Sequence, residues 1–171
     1  SALFTGTTNV SGGSLRVNGT LGGAGSTVNV LIGGRLGGAG TIGGNVTVAG
    51  GTLAPGNSPG TLTIGGNLVL AGGSVLDYEF GRSDTVGGPL NDLTVVGGNL
   101  TLGGTLNVTV TPGGDFGVGV YRVINYGGTL TNNGLTLGTM PAGSIVQLQT
   151  AVANQVNLVN IAGADVNFWD G

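Results

Sequence analysis

The sequence contains no cysteine, no histidine and no lysine. Without cysteine, neither disulfides nor thiolate metal sites can hold a fold together. Without histidine, the commonest general base and the usual ligand of zinc, copper and non-haem iron are missing. The cations reduce to Arg16, Arg35, Arg82 and Arg122, scattered through 171 residues whose net charge is −3. Nucleic acid and anionic lipid both require clustered positive charge, so neither is an expected partner. No apolar run approaches the roughly 18 residues that cross a bilayer, and no membrane insertion by this segment is expected. The N-terminus has no basic stretch followed by an apolar one, so an exported protein would carry this chain as a mature piece.

Glycine is abundant instead, with 40 residues beside 5 prolines. Such a fraction raises disorder as a reading, but 39% of the residues are hydrophobic and only 6% are charged, the reverse of a disordered composition. Glycine comes in pairs at irregular intervals, which excludes a collagen repeat. The pairs belong to a recurring phrase. Gly43-Gly44-Asn45-Val46-Thr47-Val48 returns as Gly65-Gly66-Asn67-Leu68-Val69-Leu70 and again as Gly97-Gly98-Asn99-Leu100-Thr101-Leu102. After the asparagine, apolar residues alternate with variable ones, the period of a strand with one buried face. Leu21-Gly22-Gly23-Ala24-Gly25 likewise returns as Leu36-Gly37-Gly38-Ala39-Gly40.

The alternation predicts strands at 45–48, 52–54, 61–64, 67–70, 74–80, 92–96, 99–102 and 105–111, with regular strands resuming near Leu135, Val146, Leu148, Val156 and Leu158. Predicted inward residues are Val46, Val48, Leu53, Leu62, Ile64, Leu68, Leu70, Leu93, Val95, Leu100, Leu102, Leu106, Val108 and Val110. Thr63, Thr94, Thr101, Asn107 and Thr109 are predicted outward. Segments this short between GG, PG and NG turns are too brief for helices. A sandwich or antiparallel barrel is an alternative, but near-identical phrases are what stacked, equivalent coils require. At about 20 residues per coil and roughly 4.8 Å between strands, the chain would make about eight coils and a rod on the order of 40 Å long. Residues 82–92, RSDTVGGPLND, interrupt the pattern and read as a loop leaving the rod, where a rod would place a binding function.

Asn45, Asn67 and Asn99 are candidates for a ladder of stacked corner amides, each bonded to the one above and below, or for residues that tolerate a left-handed turn beside glycine. Asp77 and Glu79 lie two apart on one strand face, with Asp84 and Asp92 in the following loop. Paired carboxylates can act on glycosidic bonds, but nothing in the sequence supports these four, and a solvated acidic surface is the ordinary reading. Tyr78 and Phe80 are the predicted inward pair on the same strand. Asp77, Asp84, Asp92 and Asp115 do not keep the period of calcium-binding nonapeptides. Gly38-Ala39-Gly40-Thr41-Ile42-Gly43 matches a dinucleotide fingerprint by letter, but a strand and not a helix follows it. The sequence therefore assigns no catalytic residue, no metal ligand and no cofactor.

The phrases LGGAGTIGGNVTVAGGTLAPGNSPGTLTIGGNLVL, NDLTVVGGNLTLGGTLNV and GVYRVINYGGTL resemble the passenger regions of bacterial autotransporters, the type V secretion proteins, and their associated β-strand repeats. The resemblance covers more than half of the chain, and GTLAPGNSPGTL is its most specific part. It implies an all-β, right-handed parallel β-helix over residues 1–162, exported through a C-terminal barrel outside this chain. The closing NFWDG resembles a junction, so residues 163–171 are expected to leave the coil. The implied role is a non-enzymatic surface rod that presents or contributes to adhesion. Expected partners are host matrix or cell-surface molecules, or further copies joined end to end in a fibre. An enzyme acting on polysaccharide is the remaining alternative.

Overall fold

Three parallel sheets run side by side along the chain, because each turn of the backbone lays down one strand on each of them. The structure is a computed structural model and describes residues 3–163. The first coil consists of β1 (Thr7–Val10), β2 (Gly13–Arg16) and β3 (Thr20–Leu21), the second of β4 (Thr27–Leu31), β5 (Gly34–Gly38) and β6 (Thr41–Ile42). The third holds β7 (Asn45–Ala49), β8 (Thr52–Pro55) and β9 (Thr61–Ile64), and the fourth β10 (Leu68–Leu70), β11 (Val75–Phe80) and β12 (Leu93–Val96). The fifth holds β13 (Leu100–Leu102), β14 (Thr105–Val110) and β15 (Gly119–Tyr126). A sixth coil contributes β16 (Leu130–Asn132) and β17 (Thr136–Leu137), after which come β18 (Val146–Gln149) and β19 (Gln155–Asn160).

The first strands of the coils form sheet A, the second strands sheet B and the third strands sheet C, each strand paired in parallel with its counterpart one coil away. This is a parallel β-helix. Thr7 aligns with Thr27, Thr27 with Asn45, Val46 with Leu68, Leu68 with Leu100 and Leu100 with Leu130, so early coils keep a short repeat that later insertions lengthen. Those insertions correct the count of eight: the chain completes five coils and starts a sixth. The lengthening of the repeat is concentrated at one corner. Between sheets B and C the connections are 17–19, 39–40, 56–60, 81–92 and 111–118 in successive coils.

From the second coil onward the corner from sheet C back to sheet A stays at two or three residues, after a first connection over 22–26. There the glycine pairs stack on one another, with Gly66 N donating to Gly44 O at 3.0 Å, Gly98 N to Gly66 O at 2.9 Å and Gly128 N to Gly98 O at 2.8 Å. A β-carbon on Gly65 would lie 2.7 Å from the carbonyl oxygen of Gly43, and one on Gly97 2.5 Å from that of Gly65. On Gly66, Gly98 and Gly128 it would collide with the side-chain oxygens of Asn45, Asn67 and Asn99. The glycines are thus required by close approach between coils, not by left-handed backbone.

Inside, the three sheets enclose one apolar column that includes Val28, Val30, Leu36, Ile42, Val46, Val48, Leu53, Leu62, Ile64, Leu68, Leu70, Leu76, Leu100, Leu102, Leu106 and Val108. Tyr78 and Phe80 point inward, where Phe80 and Tyr121 have ring centroids 5.3 Å apart and Tyr121 stacks on Phe116 at 4.3 Å. On β12 the expected facing is inverted. Thr94 is fully buried, aligned with Leu62, while Val95 is only partly buried and Leu93 is covered by the loop at Gly87. The reason is the Tyr78 hydroxyl, which needs a partner inside an apolar column and finds Thr94 Oγ1 at 2.6 Å. Val110, expected inward, is 42% exposed because β17 pairs only with Thr105 and Leu106, leaving no rung over the end of β14.

The last two strands depart from the parallel plan. β19 runs antiparallel to β15, and β18 antiparallel to β19, so sheet C ends in an antiparallel pair. Strands do occur near Val146, Leu148, Val156 and Leu158, but they do not continue the coil. Of the exit segment expected over 163–171, residues 164–171 lie outside the described residues.

Two substitutions separate the close-packed corner glycines from a free glycine between β10 and β11. Gly98→Ala is expected to lower stability by about 1–3 kcal/mol in urea titration, since its methyl meets Asn67 and the carbonyl of Gly66. Gly72→Ala, where a β-carbon meets nothing within 4 Å, should be neutral or stabilise by up to about 1 kcal/mol. A third concerns the buried hydroxyl pair: Thr94→Val and Tyr78→Phe should each cost roughly 1–3 kcal/mol, and the double variant clearly less than their sum.

Candidate functional site

The alternation that sends Leu76, Tyr78 and Phe80 into the core sends Asp77 and Glu79 out of sheet B, and the outer face of that sheet carries a groove of about 420 Å³. Its floor is made of small residues, Gly37, Ala54, Pro55 and Gly56. Arg16 on coil 1 and Arg35 on coil 2 stand at one end, and Asp77, Glu79, Asn107 and Thr109 on coils 4 and 5 at the other. The short insertion 56–60 places Ser58 at the side.

Arg35 reaches over coil 3 to Asp77, its guanidinium nitrogen 2.7 Å from the carboxylate. Both side chains remain partly exposed, so the pair orients more than it stabilises, contributing about 0–1 kcal/mol. Asn107 donates to the other Asp77 oxygen at 3.2 Å. Glu79 accepts the Ser58 hydroxyl at 2.7 and 3.0 Å.

Asp92 was expected at the surface with Asp77, Glu79 and Asp84, and the structure corrects this: it is buried beneath the groove. Its two oxygens accept the backbone N–H groups of Gly60 and Glu79, both at 2.8 Å, which ties the insertion of coil 3 to β11. Burial pushes its carboxyl up to about 7, against the pull of those two N–H donors and with a further push from neighbouring Glu79. The structure therefore brings Asp77, Glu79 and Asp92 together. It keeps Asp84 away, on the 81–92 loop, where it accepts the N–H of Val120 at 2.9 Å. That loop does not swing free of the rod. The buried Asn91 accepts from Gly81 N and Arg82 N and donates to the carbonyls of Arg82 and Thr85, closing the loop at its base.

Asn45, Asn67 and Asn99 lie at the glycine corner, remote from the groove. Asn45 Oδ1 accepts the backbone N–H of Asn67 at 2.8 Å, Asn67 Oδ1 that of Asn99 at 2.8 Å, and Asn99 Oδ1 that of Thr129 at 2.9 Å. The bonds run from side chain to the backbone of the next coil, not from amide to amide. None of the three has left-handed backbone, which outside glycine belongs to Ser58, Asp84 and Asn154 among the described residues. Amide-to-amide bonding occurs elsewhere, from Asn29 to Asn9 at 2.9 Å.

Reading the residues alone missed Arg16, Arg35 and Ser58 as groove components. The available signal was the local coil period: Ser14 aligns with Arg35 and Arg16 with Gly37, a repeat of 21, so two arginines 19 positions apart fall two residues out of step and share a face. No cluster of three or more His, Cys, Asp or Glu side chains able to hold a metal occurs among the described residues. No family model matches the chain. It is 54% identical, over 172 aligned residues, to the Adhesin BmaC autotransporter of Brucella suis biovar 1 (strain 1330). That alignment takes in 98% of this chain, which spans about 5% of the length of the curated relative it matches.

Asp92 makes stability depend on pH in a defined direction. Below about pH 4 the carboxyl is protonated whether the chain is folded or not. Between there and about pH 7 only the folded chain keeps the proton, so stability falls as pH rises, by up to about 4 kcal/mol, and levels off above. Urea midpoints measured from pH 4 to 8 should show this fall, and Asp92→Asn should flatten it.

Proposed function

Because the chain belongs to the passenger regions of bacterial autotransporters, we propose that it is a non-enzymatic segment of a surface rod that presents, and contributes to, adhesion. The relative it matches is named an adhesin, and the observation that carries the reading here is the in-register parallel stack itself. A stack in which each strand is hydrogen-bonded to both neighbours and one apolar column runs through every coil resists bending as a single body. In this reading the segment stands outside the outer membrane, carried by a barrel elsewhere in the protein. Export fits the chain's physics, since a sequence without cysteine cannot be locked by disulfides before threading a pore, and each coil offers a template for the next.

A polysaccharide-cleaving role is disfavoured by the state of the carboxylates. Asp77 is engaged by Arg35 and Asn107, and Asp92 by two backbone donors beneath the surface. A fibre of continued parallel coils is disfavoured at sheet C alone, where β19 pairs β15 antiparallel, while β16, β17 and β18 are edge strands. The expected outcome is a monomer at every concentration in sedimentation velocity, no release of reducing sugar from polysaccharides, and adherence of chain-coated beads to matrix-coated or cell-covered surfaces above beads coated with an unrelated acidic protein. Loss of the adherence alone would reduce the segment to a spacer, and measurable turnover would overturn the reading.

A further inference from the structure

We propose that the groove on the outer face of sheet B binds a short acidic oligosaccharide, with the sugar carboxylate on Arg16 and Arg35 and ring hydroxyls on Glu79, Ser58, Asn107 and Thr109. The trough is built into the fold. Gly37 cannot acquire a side chain, because a β-carbon there would lie 2.6 Å from the carbonyl oxygen of Ala54, and Ala54 and Gly56 add little above the sheet. Flanking positions on the same face carry long polar side chains, so the floor is sunk between them. From coil 1 to coil 5 it runs along the rod for roughly 19 Å, four steps of a strand spacing, which suits an extended chain of a few sugar rings.

Both signs of charge line that length. Arg16 makes no salt bridge among the described residues, and Arg35 commits one nitrogen to Asp77 while keeping further N–H donors. Arg16 at the coil 1 end and the guanidinium of Arg35, which extends over coil 3 to Asp77, suit a planar carboxylate lying between them. At the other end carboxylate, amide and hydroxyl groups converge, and these accept from or donate to vicinal hydroxyls. The Arg35, Asp77 and Asn107 chain fixes their orientation before a ligand arrives, which lowers the ordering cost of binding.

Other ligand classes fit less well. A polyanion such as nucleic acid would meet Asp77 and Glu79 beyond the arginines. A peptide added as a strand needs an unpaired edge, whereas β5, β8 and β11 are paired on both sides. A peptide anchored by an apolar side chain needs a pocket for it, and Tyr78, the one aromatic in the lining, is buried with its hydroxyl given to Thr94.

This inference deepens the adhesive reading and rests on it for its biological meaning, but direct binding tests it separately. Aldotriouronic acid, a trisaccharide with a single uronic carboxylate, titrated into the 171-residue chain and followed by calorimetry should bind saturably, about tenfold tighter than neutral maltotriose or inorganic sulfate. Arg16→Gln should weaken it about tenfold with an unchanged thermal midpoint, the loss expected for one charged hydrogen-bonding group. Arg82→Gln, outside the groove, should leave it unaltered. Equal binding of maltotriose or sulfate, no saturable binding at millimolar aldotriouronic acid, or insensitivity to Arg16→Gln would overturn the proposal. Should chain-coated beads still adhere in that event, the adhesive reading would survive without the groove.

Discussion

Contact between glycine backbones at the corner joining sheets C and A is the constraint on which the architecture depends. Coils can stack at hydrogen-bonding distance only where nothing projects between them, and at this corner even one methyl group would stand against a carbonyl or an asparagine oxygen. The asparagine completes the arrangement by accepting the first backbone N–H of the coil above, a donor that the turn would otherwise leave without a strand partner. Register follows from these corners. Once the glycine pairs are superposed, the next apolar residue of each coil falls over its counterpart, as Val46 does with Leu68 and Leu68 with Leu100. The aliphatic column is then filled by the same few positions in coil after coil.

A fold locked at one corner must place its variation at another. The connections between sheets A and B are also short, so the growing insertions gather between B and C. They do not hang from the rod as separate loops. Thr111 Oγ1 donates to the carbonyl of Leu90, Asp115 N to that of Gly81, and Asp92 draws the backbone of the coil 3 insertion toward β11. Successive insertions therefore stack as the coils themselves do. Phe116 of the last insertion extends the core sideways by stacking on Tyr121 of β15, and Gly56 and Ser58 of the coil 3 insertion stand beside the groove.

Local alternation carried the strands well: 61–64 is β9, 45–48 lies within β7, and 74–80 and 105–111 overrun β11 and β14 by one residue each. It failed at β12 because LTVV alternates no more convincingly in one phase than in the other, and the deciding partner, the Tyr78 hydroxyl, lies on a different strand. It failed at Val110 because burial there depends on how far the next coil extends, a property of β17 and not of β14. The groove was half visible for a related reason. Asp77 and Glu79 share a face by their spacing alone, while Arg35 joins them only when the coil lengths between residues 35 and 77 are known. Burial of Asp92 was illegible, since a carboxylate in a GPLND loop reads as solvated until the N–H groups of Gly60 and Glu79 are found aimed at it.

The antiparallel close of sheet C follows from the same geometry. A parallel stack ends in strands with free N–H and C=O groups, which invite further pairing unless something covers them. Continuing the coil would require another glycine pair above Gly127 and Gly128, and after Thr129 the sequence offers none in the corresponding place. The chain instead turns back, and β19 satisfies the free edge of β15 in the antiparallel sense. Arg122 then donates to Asn157 across the new pair at 2.6 Å, and Asn160 donates to the carbonyls of Phe116 and Gly117, so the covering strand is held at both ends. The parallel strands of sheet C and the stacked glycine pairs thus both end near Gly127 and Gly128. Aliphatic residues continue through Val156 and Leu158 and remain buried, yet they no longer dictate a parallel strand.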